Sequence, residues 1–108
     1  MVLINPFEVP ADGSDAEFLA GWQAAADYLQ TQPGFVSARL HRAVRPDARF
    51  RYVNVALWES AQSFMAAVGS DGFRALAAGT APNFPALYEV VATVGADTTT
   101  GEPVGGAS

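Results

Sequence analysis

Three side chains in this sequence suit chemistry that needs neither a thiol nor a metal: Asn54, Trp58 and His41. Asn54 and Trp58 lie in FRYVNVALWES, residues 50–60, which reads as a strand. Four residues apart on a strand, they point to the same side. Asn is disfavoured in strands and costly to bury without partners, so something on that side is expected to want an amide and an indole N–H. Both are neutral donors of the kind that stabilise an oxyanion. His41 is the only histidine, and an imidazole can take up a proton. Two of them have plainer alternatives: a surface bystander for His41, core or subunit-contact filler for Trp58.

Other chemistries find no support. With no cysteine there is no disulfide frame and no thiolate site. No clustered His, Asp and Glu suggest a metal, and no Gly-rich phosphate loop occurs. The net charge of −5 disfavours general nucleic-acid binding. There is no Lys, and Arg39, Arg42, Arg45, Arg49 and Arg51 crowd one short stretch. That stretch reads as a solvated hairpin tip, with a guide for anionic ligands as the alternative. No basic-then-apolar leader opens the chain, and no apolar run nears the ~18–20 residues of a membrane span. A cytoplasmic protein is the expectation.

The elements that must position these residues follow from periodicity. The length of 108 residues suits one domain. Residues 2–9 read as a strand, with Pro6 marking a bulge or an interrupted central strand. Ser14 to Glu17 has the form of a capping box, followed by Phe18, Trp22, Ala25 and Leu29 at helical spacing. Phe18 and Trp22 are expected to be core. Pro33 and Gly34 end the helix. Residues 35–43 and 50–58 form a hairpin around Pro46–Asp47. Ser60 caps a second helix, Ser70 or Asp71 a further short one, and residues 86–94 form a fourth strand. The order is β-α-β-β-α-β: an α+β, ferredoxin-like domain over residues 1–94, its antiparallel four-stranded sheet carrying helices on one face. Residues 95–108 are expected to be a flexible tail.

Alternation divides each strand into two sides. Val2 and Ile4, Val36, Ala38 and Leu40, and Val53, Val55 and Leu57 form aliphatic sides, expected to pack on the helices. Leu3, Asn5 and Phe7, then Phe35, Ser37, Arg39 and His41, then Phe50, Tyr52, Asn54 and Trp58 form mixed aromatic and polar sides. A mixed side calls for a cover, most simply a second subunit, and its polar groups imply a lined cavity. Asn5, Phe7, Arg39 and Tyr52 thereby become candidate substrate contacts, Tyr52 and Phe50 equally candidates for sealing a dimer.

Residues 2–94 resemble the antibiotic biosynthesis monooxygenase family. The resemblance is carried by PGF (Pro33 to Phe35), by His41 six residues after Phe35, by N-x-x-x-W-E-S from Asn54 to Ser60, and by Phe64 in the next helix. It implies a dimeric α+β barrel. The combination PGF-x-S-A-x-x-H with N-x-x-x-W is similar to the branch that oxidises anthrones or quinols with O2, without flavin, haem or metal. That likeness implies that Asn54 and Trp58 hydrogen-bond the substrate or its oxygenated intermediate, that His41 lies near the same cavity, and that Arg74 matches an arginine of that branch; His41 or bound water is then the expected base. Phe64 departs from the pattern, standing where a tyrosine is expected, which removes a phenolic donor. The expected function is therefore a cofactor-independent monooxygenase acting as a homodimer on a small aromatic. The alternative is a dimeric small-ligand-binding protein without the chemistry. The same fold family holds haem-degrading enzymes, and Asn5 fits their first-strand asparagine. Their helix tryptophan and axial histidine fall near Ala67 and Leu76–Ala77 here, which argues against haem.

Overall fold

Strand pairing sets the frame. The computed structural model describes residues 1–9, 15–78 and 80–95. Its elements run β1 (Val2–Phe7), α1 (Asp15–Leu29), β2 (Phe35–Arg42), β3 (Tyr52–Trp58), α2 (Ala61–Val68), α3 (Asp71–Ala77) and β4 (Ala86–Tyr88). The sheet order is β2-β3-β1-β4, every neighbouring pair antiparallel. This is the ferredoxin-like α+β arrangement. Ser14, and with it the expected capping box, lies outside the described residues, as does the tail beyond Gly95.

Pro6 neither breaks nor bulges its strand. β1 runs unbroken beside β3, with Pro6 opposite Val53. The Pro6 carbonyl accepts from the Phe84 N–H at 3.1 Å, so its missing N–H falls on the β4 side. There the regular ladder has already ended, at Ile4 opposite Ala86. A proline is tolerable at such a place.

The fourth strand is shorter than its alternation predicts. Pairing stops at Tyr88 because its partner there is Val2, the first residue of β1. Residues 89–94 form no ladder among the described residues, and Val91 and Val94 stand almost fully exposed.

The hairpin-to-helix junction explains two of the sequence marks. Gly34 has φ of +88°, and a Cβ there would lie 2.4 Å from Cβ and Oγ of Ser63. Only glycine allows both the turn and that approach. The Gly34 carbonyl accepts from the Glu59 N–H at 2.8 Å, tying the PGF turn to the end of β3. Ser60 then caps α2, its Oγ accepting from the Ser63 N–H at 3.1 Å while Ser63 Oγ accepts from the Ser60 N–H at 3.3 Å. Ser70 caps α3, and its hydroxyl meets that of Tyr28 on α1 at 2.8 Å.

The helices pack on the mixed side of the sheet, not on the aliphatic side. Leu3, Ala56 and Trp58 are buried with Phe64 and Ala67 of α2. Phe7, Val9 and Tyr52 form a second cluster, packed with Phe18 and Trp22 of α1. The aliphatic set Val2, Ile4, Val53, Val55 and Leu57 is half-buried on the opposite face. Both sides are apolar enough to need a cover, so composition could not rank them. The rings fit the deeper space under the helices.

Candidate active site

A cavity of about 720 Å³ lies between the helix-facing side of the sheet and the helices. Leu3, Asn5, Phe7, Asn54, Ala56 and Trp58 form its floor, and Phe18, Gly21, Trp22 and Ala25 of α1 line it from the helix layer. Phe64 and Val68 of α2, Phe73 and Leu76 of α3, and Asn83 of the loop before β4 complete the wall. Small residues at 21 and 25 leave room where a larger side chain would fill it. Among the described residues α1 contributes no fully buried side chain, although it spans the cavity. The expectation that Phe18 and Trp22 are core holds only in part, since both also line this space.

Asn5 and Asn54 are direct cross-strand partners at the centre of the floor. They separate the two apolar clusters, with Leu3 and Trp58 on one side and Phe7 and Tyr52 on the other. The Oδ1 atoms of both are buried without a hydrogen-bond partner. Asn5 donates through Nδ2 to Oδ1 of Asn83 at 3.3 Å, and Asn83 donates to the Ala81 carbonyl at 2.9 Å. Trp58 is 2% exposed and held edge-on by two rings, Phe35 with centroids 5.3 Å away and Phe64 at 5.6 Å.

Of the residues singled out in the sequence, Asn5, Phe7, Asn54, Trp58 and Phe64 all line this cavity. Tyr52 lies beneath it, against Phe18 at 4.7 Å between centroids, with its hydroxyl buried and unpartnered. His41 and Arg39 are elsewhere. Register pairs His41 with Val53 and Arg39 with Val55, on the aliphatic face. His41 is exposed there, its Nδ1 3.3 Å from the Val53 carbonyl. The expected alternation fails because of a β-bulge between Phe35 and Ser37. The extra residue puts Phe35, Ala38 and Leu40 on one face, so the aromatic start of β2 does not mark the side of its later residues. Arg74 is exposed in the last turn of α3 and does not line the cavity. The arginine-rich hairpin is partly paired: Arg51 with Asp15, Arg49 with Glu8 at 3.9 Å and Arg45 with Asp47 at 3.3 Å.

Asn83 reads in the sequence only as loop. Asparagine is common in loops for local reasons, and the linear sequence carries no signal that this one reaches the first strand. Glu17 is the only titratable side chain on the described lining, and it is exposed. Among the described residues no group of three or more His, Cys, Asp or Glu is placed to hold a metal ion. No helix among them is long and apolar enough to cross a membrane.

Residues 1–79 match the family model described as antibiotic biosynthesis monooxygenase. The chain belongs to that family. Among solved structures it is similar to a candidate monooxygenase of Shewanella loihica PV-4, with 39% identity, a TM-score of 0.73, and coverage of 85% of this chain and 94% of that one. SnoaB of Streptomyces nogalater, a cofactor-independent oxygenase, aligns at 29% identity with a TM-score of 0.74, over 86% of this chain and 94% of its own. The heme-degrading protein MhuD of Mycobacterium tuberculosis aligns at 32% identity with a TM-score of 0.62, over 87% and 98%. Among curated proteins nothing matches. In this monooxygenase family member, the matched span covers both floor amides and Trp58 but stops short of Asn83.

Proposed function

We propose that this chain is a cofactor-independent monooxygenase that oxidises an electron-rich aromatic, of the anthrone or quinol kind, with O2 in the cavity between sheet and helices. One observation carries the reading: two adjacent floor amides and the Trp58 indole line an aromatic-walled cavity of about 720 Å³. That volume suits a small organic ligand. The similarity to a cofactor-independent oxygenase supports the same chemistry.

The reaction needs a substrate that forms a stabilised carbanion. An activated methylene loses a proton, and the anion passes one electron to O2. The two radicals join as a peroxide, which takes up a proton and loses water to leave a carbonyl. One methylene and one O2 thus give one carbonyl and one water: one oxygen atom stays on the carbon, and the other leaves with both methylene hydrogens. The Asn54 amide and the Trp58 indole N–H donate to the oxygen on which negative charge develops. Phe7 and Phe64 hold the ring system. His41 faces the other side of the sheet, so in this reading the proton leaves through water.

Haem does not fit this cavity as an imidazole-ligated cofactor. The chain has a single histidine, and its side chain is on the opposite face. No step is derived through haem.

The protein acts as a homodimer in this reading. The half-buried aliphatic face and the exposed Val90, Val91 and Val94 form apolar surface that a second copy would cover.

One observation favours a second reading. Phe64 brings no hydroxyl to the cavity where the family resemblance expects one, which suits a binding protein. Oxygen uptake with anthrone by the purified protein decides between them. Uptake above the spontaneous rate, lost in Asn54→Ala, supports the oxygenase. Saturable anthrone binding without uptake supports the binding protein.

A further inference from the structure

The chain has six arginines, one histidine and no lysine. All of these lie among the described residues, and none of them lines the cavity. Arg39, His41 and Arg42 are exposed on β2. Arg45, Arg49 and Arg51 pair with Asp47, Glu8 and Asp15. Arg74 is exposed on α3, next in sequence to the lining residue Phe73 but not on the wall itself. The one charged side chain on the described lining is an anion, Glu17, exposed in the first turn of α1. It stands one helical turn before Gly21, which also lines the cavity and where an added Cβ would meet nothing within 4 Å. The two residues mark an open rim. Among the described residues Glu17 has no ion-pair partner, since Asp15 takes Arg51. The other polar side chains on the wall, such as Asn54, Trp58 and Thr80, are neutral.

We infer that the cavity selects uncharged aromatics and turns away carboxylated ones, with Glu17 at its rim as a specificity-determining residue. The inference rests on the reading that the cavity takes an oxygenated aromatic. A neutral ring system entering this space gives up little hydration, and its oxygens can pair with neutral donors. A ligand carboxylate gives up its hydration and gains no counter-ion, which weakens binding by about a hundredfold or more. Glu17 adds like-charge repulsion at the entrance, screened by solvent and worth about two- to fivefold. A carboxylated substrate would also become a dianion when its methylene loses a proton, in a space without a cation. The reaction proposed above thus starts from a neutral molecule.

The test measures binding, not turnover. Quenching of tryptophan fluorescence is titrated at neutral pH and low salt with anthraquinone-2-carboxamide and with anthraquinone-2-carboxylate. The two probes share a ring system and differ in charge. The wild-type protein is expected to prefer the carboxamide by about a hundredfold or more. Glu17→Gln removes the rim charge and is expected to lower that preference by about two- to fivefold. Glu17→Arg reverses the charge and is expected to lower it by about tenfold. A merely structural role for Glu17 would change both affinities together and leave their ratio alone. Glu17 is exposed, so both variants are expected to fold. Affinities within about threefold of each other in the wild type, or a ratio in Glu17→Arg equal to that of the wild type, overturn the inference and leave the cavity reading standing. Failure of the carboxamide to bind the wild type overturns the reading and the inference with it.

Discussion

Phe64 meets Trp58 edge-on, at 75° with centroids 5.6 Å apart, and so joins the helix that follows the hairpin to the last residue of β3. Both rings are buried, and both line the cavity. Phe64→Ala is expected to cost about 3–5 kcal/mol, through lost transfer energy and the space left behind. Phe64→Tyr nearly conserves volume at a cavity-lining site, so its cost is expected to stay below about 1.5 kcal/mol. Urea denaturation of the two variants checks the contrast.

The PGF turn has no room for a side chain. Gly34→Ala combines a positive φ with contact against Ser63, and a loss of more than about 1 kcal/mol is expected. Ser60→Ala removes the α2 cap and is expected to cost about 1 kcal/mol. If Gly34→Ala shifts the denaturation midpoint less than Ser60→Ala, the tight approach is not what holds this junction.

Asn54 and His41 separate cleanly by face. Asn54→Ala is expected to lower oxygen uptake with anthrone by about a hundredfold, the usual scale for losing one oriented donor. His41→Ala is expected to leave it within about twofold, since that side chain is exposed on the other side of the sheet. A large loss in His41→Ala would mean that the imidazole acts from across a subunit contact.

The open face predicts a dimer that charge disrupts. Val55 lies at its centre, paired with Ile4 and Arg39. Light scattering is expected to give twice the chain mass for the wild type. Ile4→Asp is expected to give the monomer, because Ile4 lies between Val55 and Ala86 and an unpaired carboxylate would be desolvated there. A monomeric wild type at micromolar concentration would remove the second copy as the cover.

Much of this could be read from residue order alone, for local reasons. Ser60, Ser70 and Gly34 announce their roles because caps and turns depend on near neighbours. That Asn5 and Asn54 share a side of the sheet followed from alternation, while their direct pairing comes from the register. Three things were not legible. The bulge after Phe35 has no residue signature, and one inserted residue moved Arg39 and His41 to the far face. The choice of helix-covered side depended on which apolar set fits under helices, which alternation does not encode. Asn83 joined the site through a contact with Asn5 across 78 positions of sequence, visible only once the loop is folded back.

α1 bridges a space rather than a filled core, with no side chain fully buried among its described residues. It is held by the partly buried Phe18, Trp22 and Leu29 at the edges of that space, and helices of this length are marginal alone. Its backbone amides should therefore exchange with solvent through local opening, at free energies well below that of global unfolding. Anything that occupies the space supplies the missing contacts, so occupancy should slow exchange in α1 first and raise the melting temperature with ligand concentration. Deuterium uptake across Asp15–Leu29 would therefore report a bound molecule even where no reaction follows.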